Sequence, residues 1–452
     1  MSERLVVIGG VAGGMSAAAQ ARRMRDEGDL EIVVFERGEY TSYAACGLPY
    51  LISGEAHPDG LVARTPEQFR RSGVDVRMRH EVTAIDTDTR TVTVADRSTG
   101  ATTTESYDDL LIATGALPLR PPLPGIDAPG VYDLRTIPDA HAIDAALRDA
   151  GADAAVVVVG AGYIGLEAAE AFRARGARVT VLERAEQPMV TLDADMAEHV
   201  AAALDRLGVE LRTGCDVEGF DTAEDGSVRS VRTSQGPVDA DLVVIGLGAR
   251  PNVALAEAAG VPLGESGGIV VDDHLRTPVA GVWSAGDCVE SRHRISGTGV
   301  VIALGPPANK QGRAAGTHLG GGDATVEGVL GTAITRVGDV EVARTGLNER
   351  EASDAGFEFD ATSATSSTRA RYFAGNEDVT VKLVVERGTD RLLGGQIVGG
   401  EGAGKRIDVV AMALWNEMTA REVAAVDLAY APPFSPVWDP VLSTAGRAST
   451  VL

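Results

Sequence analysis

A strand, a glycine-rich loop and a helix follow one another near the start of the chain, and this pattern constrains the fold most strongly. The apolar run at residues 5–8 passes into Gly9-Gly10-Val11-Ala12-Gly13-Gly14 and then into an alanine-rich segment that predicts a helix over 15–24. A second apolar run, at 32–35, ends at Glu36, 22 residues after Gly14. This spacing is typical of a βαβ unit that binds a dinucleotide. Val11 replaces the middle glycine of the strict motif, and the Gly13-Gly14 pair still allows a pyrophosphate to approach the backbone.

The same pattern occurs a second time. A valine run at 156–159 leads into Gly160-Ala161-Gly162-Tyr163-Ile164-Gly165, a helix through Arg175 and a strand that ends at Glu183. Two copies at this spacing predict two Rossmann-like domains far more specifically than one glycine loop does. The alternative is a pair of purely structural tight turns.

Composition limits the classes of function open to the chain. A formal net charge of −24 argues against DNA or RNA as a partner, because phosphate binding needs clustered Lys and Arg. No segment approaches about 18 uninterrupted apolar residues, so we expect no transmembrane helix and no membrane partner. The N-terminus enters an apolar strand directly and lacks the pattern of a secretory leader, so we expect a cytoplasmic protein.

Cys46 lies in the segment Thr41-Ser42-Tyr43-Ala44-Ala45-Cys46-Gly47-Leu48-Pro49-Tyr50, soon after the first unit. The residue five positions on is Leu51, so no local Cys-x4-Cys disulfide can form. A lone redox sulfur stores its oxidation state as a mixed disulfide with a small thiol or as a sulfenic acid. The alternative is a buried structural thiol. We interpret Cys215 and Cys288, which are far apart, as structural, and we expect neither a disulfide framework nor a metal site.

Turn signals divide the chain into three parts. A strand at 109–112 runs into the turn Ala113-Thr114-Gly115 and a proline-rich connector at 117–124. A matching segment at 242–252 closes the second unit, and a short strand and turn at 281–287 end in Asp287. From about Gly331 the pattern changes to alternating strands and a last helix. We therefore predict a discontinuous domain over 1–116 and 250–325, an inserted domain over 117–249 and an α+β domain over 326–452.

These segments, in this order, resemble the pyridine nucleotide-disulfide oxidoreductases over essentially the whole chain. Residues 42–50 and 427–440 resemble the single-cysteine branch, which holds coenzyme A-disulfide reductases, CoA-persulfide reductases and NADH oxidases. The resemblance implies a glutathione reductase-like α/β fold, with two Rossmann-like domains for FAD and NAD(P)H and a C-terminal α+β dimerisation domain. We expect no fused rhodanese-like domain.

The resemblance assigns FAD to the first unit, whose helix N-terminus directs amides at the pyrophosphate. Glu36 is expected to accept the ribose hydroxyls, with an exposed strand-end acid as the alternative. The expected FAD contacts are Gly9, Val11, Ala12, Gly13, Gly14, Glu36, Arg37, Ser42, Val82, Ala113, Thr114, Gly115, Asp287 and Tyr430.

The resemblance assigns NAD(P)H to the second unit. Glu183 favours NADH, because a carboxylate repels a 2′-phosphate, whereas Arg184 leaves NADPH possible. Tyr163 resembles the family's gate over the nicotinamide, with Glu167 beside it, and ordinary helix-start packing is the alternative for both. The expected NAD(P)H contacts are Gly160, Gly162, Tyr163, Ile164, Gly165, Glu167, Glu183, Arg184 and Gly248.

CoA-disulfide reductases present polar groups to coenzyme A from the helix after the first glycine loop. The expected contacts with a small-molecule disulfide are Ser16, Gln20, Arg23, Ser42, Asn309 and Trp438. The chain departs from the branch at three positions. Ala45 stands where some members have Asn, Trp438 where some have Lys, and Asn309 where some have His. These departures leave the identity of the small thiol open.

Cys46 is the expected catalytic sulfur. A helix start at this position, with Pro49 in its first turn, predicts a lowered thiol pKa near the flavin. All seven histidines precede residue 319, so the sequence lacks the C-terminal histidine that glutathione reductase-like enzymes use as a general acid. The single-cysteine branch implicates tyrosine hydroxyls instead, which match Tyr430 and Tyr372. A packed strand tyrosine is the alternative for Tyr372.

The sequence therefore predicts an FAD-dependent NAD(P)H oxidoreductase that reduces CoA-disulfide, or a related small disulfide or persulfide, through Cys46. The alternative enzyme is an NADH oxidase that reduces O2 or peroxide through a cysteine sulfenic acid. An alternative of another class is a redox-sensing or electron-carrier flavoprotein. The resemblance also implies a homodimer with a shared active site, in which Tyr430 of one subunit reaches Cys46 of the other.

Overall fold

The computed structural model describes residues 2–451, and the fold begins with a five-stranded parallel sheet. In spatial order its strands are Val282–Ser284, Asp109–Ile112, Glu3–Ile8, Leu30–Glu36 and Asp75–Met78. Side chains of the central strand alternate between two apolar clusters, with Leu5 and Val7 in one and Val6 and Ile8 in the other. Because both faces of the sheet are covered, the strand is continuously apolar.

The second glycine-loop unit lies in another five-stranded parallel sheet. Its strands, in spatial order, are Val209–Arg212, Arg178–Leu182, Ala155–Val159, Leu242–Ile245 and Val131–Asp133. The accompanying helices are Ile137–Ala150, Tyr163–Ala174 and Ala194–Leu207. The chain enters and leaves this unit side by side, since Ala116–Pro118 pairs antiparallel with Ala249–Pro251. Both predicted Rossmann-like units are confirmed.

The C-terminal part contains a five-stranded antiparallel sheet and more helices than the single one predicted. The strands, in spatial order, are Ala333–Val337, Val340–Gly346, Leu392–Gly399, Asp378–Glu386 and Phe359–Ser367. The helices are Glu349–Asp354, Ile407–Trp415, Ala420–Ala424 and Pro440–Val451, with a 3-10 turn at Gly404–Arg406. Part of the sheet shares an apolar core with these helices, whereas Val337, Val340, Val342 and Val398 belong to the apolar cluster of the second unit.

Smaller elements complete the fold. Two three-stranded antiparallel sheets comprise His80–Asp86, Thr91–Asp96 and Thr102–Ser106, and Val217–Thr222, Val228–Thr233 and Val238–Asp239. A hairpin joins Ser291–Arg292 to Gly299–Val300. The remaining helical segments are Ala45–Gly47, Leu48–Ser53, Pro58–Leu61, Pro66–Arg71 and Ala254–Ala258. Within residues 2–451, no helix is long and apolar enough to cross a membrane.

Two helices pack closely beneath the first glycine loop. They are Ala12–Met24, which begins earlier than the predicted residue 15, and Gly305–Leu319, which comes from the far end of the first unit. A Cβ at Gly312 would lie 2.2 Å from the carbonyl oxygen of Gly13, so only glycine allows this approach. The packing brings residues nearly 300 positions apart onto one surface, and Ser16 donates to the Asn309 Oδ1 at 2.7 Å.

Candidate active site

The first glycine loop leaves its backbone open to a ligand. Gly9 has φ +107°, and a Cβ there would lie 2.1 Å from the Ala113 carbonyl oxygen. A Cβ at Gly14 would lie 1.9 Å from the Gly9 carbonyl oxygen, so both positions require glycine. Val11 is the N-cap of the helix Ala12–Met24, and its side chain makes no capping hydrogen bond. No capping side chain therefore occupies the amides of the first helical turn. This is the donor set that a pyrophosphate uses at a helix N-terminus.

Glu36 is fixed against this loop. One carboxylate oxygen accepts from the Gly10 amide and the other from the Gly38 amide, each at 2.7 Å. Each oxygen keeps a further lone pair that can accept a ribose hydroxyl. The neighbouring Arg37 is exposed. The Val82 side chain is buried against the same sheet, so its contact with FAD would come from the backbone.

The turn at 113–115 and Asp287 close the other side of this site. Thr114 donates to the Asn252 carbonyl at 2.6 Å, which ties the turn to the returning chain. Asp287 is mostly buried, and burial raises the pKa of its carboxyl, whereas Arg135, at 3.3 Å, acts in the opposite direction. The glycine loop, Glu36 and Asp287 together fit the pyrophosphate and hydroxyl groups of FAD.

The second loop reproduces the geometry of the first. Glu183 accepts from the Ala161 amide at 2.8 Å and from the Ala185 amide at 2.9 Å, as Glu36 does in the first unit. A Cβ at Gly165 would lie 2.0 Å from the Gly160 carbonyl oxygen, whereas one at Gly162 would meet nothing within 4 Å. The helix N-terminus after Gly162 again lacks a side-chain cap. Of the other predicted contacts, Ile164 and Arg184 are exposed, and Gly248 faces open space at φ +94°.

Tyr163 and Glu167 lie on one face of the helix Tyr163–Ala174. The Tyr163 hydroxyl is buried near the Thr191 hydroxyl, and neither group has another hydrogen-bond partner among the described residues. Glu167 accepts from the Thr335 hydroxyl at 2.8 Å, a contact with the C-terminal part of the chain. Burial raises the pKa of the Glu167 carboxyl, and the Thr335 hydrogen bond partly opposes that rise.

Cys46 is exposed on a loop anchored to the first glycine loop. The Thr41 hydroxyl donates to the Gly10 carbonyl at 2.6 Å, and the Ser42 amide donates to the same oxygen at 2.9 Å. Ser42 has φ +49°, an uncommon conformation for a residue with a Cβ. Cys46 then lies in the 3-10 turn Ala45–Gly47, directly before the helix Leu48–Ser53, so the predicted helix start is present.

The prediction that the pKa of the Cys46 thiol is lowered was wrong: the surrounding protein raises it. Although part of the Cys46 side chain is exposed, partial desolvation by the surrounding protein raises the pKa of the thiol, and the carboxylates of Glu167 and Asp287 raise it further. Arg135 and a backbone hydrogen bond lower it, but they do not reverse the direction. The helix that follows Cys46 has only six residues, and its dipole is correspondingly weak. By contrast, Cys215 and Cys288 are buried, in agreement with a structural role.

A cleft of about 440 Å³ lies between the helix Ala12–Met24, the helix Gly305–Leu319 and the loop that precedes Cys46. Four of the six predicted substrate contacts line it: Ser16, Arg23, Ser42 and Asn309. Gln20 does not line it but accepts from Arg23 at 3.1 Å and donates to Thr317. Trp438 lies elsewhere, exposed on the C-terminal part.

The contacts predicted from the sequence include only one of the three arginines of the cleft. Arg64 and Arg313 join Arg23 in the lining, which contains no acidic side chain. Three guanidinium groups without a carboxylate make a local positive site in a chain of net charge −24, and this site suits phosphate groups. Arg313 lies one helical turn after Asn309 and could have been found from that spacing, whereas nothing in the local sequence marks Arg64.

Tyr372 and Tyr430 lie together on the surface of the C-terminal part. The pKa of the Tyr430 hydroxyl is raised, first by partial desolvation and second by the neighbouring Tyr372. The two loops are joined because the Ala370 amide donates to the Pro432 carbonyl at 3.1 Å. Tyr372 is 79% exposed, and neither tyrosine lines the cleft of its own chain.

The tyrosines belong to a larger exposed apolar surface, which we call the tyrosine surface. Its members are Tyr372, Phe373, Tyr430, Phe434, Val437 and Trp438. Arg406 holds its two segments by donating to the Thr368 and Phe434 carbonyls at 2.8 and 2.9 Å. A clustered apolar surface of this kind marks a protein–protein contact.

Comparisons with known proteins agree with this architecture. The profile described as pyridine nucleotide-disulphide oxidoreductase matches residues 3–319, and the dimerisation domain of the same family matches residues 332–440. The chain is 38% identical to the NAD(P)H coenzyme A polysulfide/persulfide reductase of Pyrococcus horikoshii, over 98% of this chain and 97% of the relative. It is 32% identical to the coenzyme A disulfide reductase of Staphylococcus aureus, over 96% of each.

Among solved structures, an NAD-dependent persulfide reductase from A. fulgidus is similar, with a TM-score of 0.95 and 39% identity. That alignment covers 99% of this chain and 83% of the other. Taken with the two glycine loops and the dimerisation domain, these matches show that the chain belongs to the pyridine nucleotide-disulphide oxidoreductase family and is an FAD- and NAD(P)H-dependent oxidoreductase.

Proposed function

We propose that this protein is a single-cysteine NAD(P)H:disulfide reductase that acts on coenzyme A disulfide or a coenzyme A persulfide. The main support for this proposal is the composition of the cleft. Its three arginines suit the phosphates of a nucleotide-linked thiol, and its lining reaches Ala44, two residues before Cys46. The names of the P. horikoshii and S. aureus relatives support coenzyme A as the thiol.

The reaction divides into reduction of a mixed disulfide and its renewal. When bound, FAD supplies two electrons taken from NAD(P)H. With one proton these electrons cleave the bond between Cys46 Sγ and the bound thiol, which releases that thiol and leaves Cys46 as a thiolate. The thiolate then attacks the next disulfide, forms a new S–S bond and displaces the other half as a thiolate.

The chain's residues position these steps. Arg23, Arg64 and Arg313 would hold the phosphates, and Ser16 and Asn309 would bind polar groups between them and Cys46. Glu36 and Glu183 would each hold a ribose. Since Glu183 presents a carboxylate at that place, we propose NADH as the preferred donor, with NADPH possible. A cytoplasmic location belongs to the same proposal.

We further propose that the active site is shared between subunits of a homodimer. The tyrosine surface lies on the domain that matches the family's dimerisation domain, and it is held by Arg406. In the proposed dimer the tyrosine surface of each subunit docks beside the Cys46 loop of the other, so that the partner subunit's Tyr430 would donate to the departing thiolate. The proposed domain boundaries remain 1–116 with 250–325, 117–249 and 326–452.

Anaerobic NADH oxidation by the flavin-loaded enzyme tests the proposal. Added coenzyme A disulfide should start the reaction and release a pair of free thiols for each NADH consumed. A reaction that needs only O2 and is indifferent to the disulfide would instead identify an NADH oxidase. Absence of turnover with either acceptor would favour a sensor or electron carrier.

The shared site has its own test. Cys46→Ser and Tyr430→Phe homodimers should both be severely impaired, and mixed heterodimers should regain activity because one of their two sites keeps both wild-type residues. Tyr132→Phe, a change in a strand of the second unit, is the control. Mixing it with Cys46→Ser should give no more activity than the Tyr132→Phe subunits contribute alone. Absence of recovery in verified Cys46→Ser/Tyr430→Phe heterodimers would contradict the shared site.

A further inference from the structure

Two histidines and an aspartate converge at a place that the proposed reaction does not use. His318 lies near the C-terminal end of the helix Gly305–Leu319, Asp323 follows it, and His274 comes from a separate loop. One ligand atom from each of the three lies within 4.8 Å of the other two. His274 Nδ1 is 2.7 Å from His318 Nε2, and the Asp323 Oδ1 is 3.6 and 3.5 Å from these two nitrogens.

The two ring nitrogens compete for the same partners. The Ala324 carbonyl oxygen lies 2.6 Å from His318 Nε2 and 3.2 Å from His274 Nδ1, and the Ala324 amide also points at His318 Nε2. A neutral imidazole nitrogen has either one hydrogen or one lone pair. His318 Nε2 therefore cannot accept from the Ala324 amide and donate to the Ala324 carbonyl at the same time. A cation between the rings would use both lone pairs and the carboxylate together.

The cluster is built into the fold rather than assembled from mobile surface groups. The His318 side chain is 6% exposed, and the Trp283 ring stacks on its ring with centroids 5.7 Å apart. Three glycines at 320–322 turn the chain, and the Gly321 and Gly322 amides donate to the His318 and Thr317 carbonyls. Asp323 is 86% exposed, so the cluster is also open to solvent on one side.

We propose that His274, His318 and Asp323 bind a divalent transition-metal ion of the Zn²⁺ class. Two imidazoles and one carboxylate are ligands that Zn²⁺ accepts, with water in a fourth position. Tetrahedral Zn²⁺ requires ligand nitrogens about 3.3 Å apart, so binding would widen the ring pair slightly. The ion would join the loop of His274 to the end of the helix that carries Asn309 and Arg313 into the cleft.

Metal retention by the flavin-loaded enzyme tests this site. Thiols are first blocked with iodoacetamide, so that Cys46 cannot bind the metal. The enzyme is then stripped with EDTA, incubated with ZnCl2 and passed through a desalting column, and its zinc and FAD contents are measured. Wild type should retain about one Zn²⁺ per chain, as a single site with three protein ligands and one water requires. Zinc should also raise its Tm, because an ion that binds the folded state stabilises it.

His274→Gln and Asp323→Asn remove single ligands at the more exposed positions, where folding is least at risk. His274→Gln should raise the Kd for Zn²⁺ by about 100-fold or more in a chelator competition, since even the loss of a supporting residue costs 10- to 100-fold. His141→Gln removes an exposed histidine outside the cluster and is the control, with zinc retention unchanged. Wild type that retains no zinc, or His274→Gln that retains as much zinc as His141→Gln, would overturn the site.

Discussion

Removal of one cleft arginine should lower kcat/KM for disulfides that carry phosphates and leave kcat/KM for other disulfides nearly unchanged. Arg313 is the best position, because it is exposed at the cleft and no described ion pair holds it in the free protein. Arg313→Met keeps much of the apolar stem and removes the charge. A charge-assisted hydrogen bond contributes about 1.5 to 3 kcal/mol, and an exposed ion pair about 1 kcal/mol or less. A loss of about 1 to 2 kcal/mol follows, which corresponds to about 5- to 30-fold in kcat/KM.

The assay compares coenzyme A disulfide with pantethine, the corresponding disulfide that lacks the phosphorylated nucleotide. Arg313→Met should lower kcat/KM for coenzyme A disulfide and leave that for pantethine nearly unchanged. Arg229→Met, an exposed arginine in the strand Val228–Thr233 of the inserted unit, is the matched control and should change neither. Equal losses for both disulfides would refute phosphate recognition by Arg313, as would no loss for either.

Three further predictions concern the cofactors and the thiol. Glu167→Gln should lower the pKa of the Cys46 thiol, because it removes a carboxylate that disfavours the thiolate. The pH profile of iodoacetamide alkylation should therefore move to lower pH, and an unchanged profile would contradict the coupling between Glu167 and Cys46. NADH should exceed NADPH in kcat/KM, and Glu183→Gln should narrow the difference; a wild-type preference for NADPH would refute the role of Glu183. Asp287→Ala should purify with less FAD at unchanged far-UV circular dichroism, whereas normal occupancy would remove the assignment of Asp287.

The two nucleotide units could be predicted from the sequence because their geometry depends on short-range spacing. In each unit the strand, the loop and the next strand bring the terminal acid to the loop amide, at 2.7 Å for Glu36 and 2.8 Å for Glu183. The first helix begins at Ala12, three residues before the predicted residue 15, because two glycines in its first turn conceal the helical pattern in the sequence.

Properties that depend on distant segments could not be predicted in this way. The pKa of Cys46 is governed by burial and by Glu167 and Asp287, which are more than 100 residues away in sequence, so the local helix start gave the wrong direction. Arg64 reaches the cleft because the neighbouring Ala63 amide donates to the Ser42 carbonyl, which pairs this segment with the loop that precedes Cys46. The pairing of Tyr372 with Tyr430 likewise needs Arg406 to join two loops.

In the proposed mechanism Cys46 carries coenzyme A as a mixed disulfide during turnover. Intact-protein and peptide mass spectrometry under non-reducing conditions, on enzyme that has been reduced and then given coenzyme A disulfide, tests it directly. We expect the peptide that contains Cys46 to gain one coenzyme A, to lose it on addition of NADH, and to gain nothing in Cys46→Ser. A Cys46 that stays free or becomes a sulfenic acid, with no coenzyme A bound after exposure to the disulfide, would contradict the proposed mechanism.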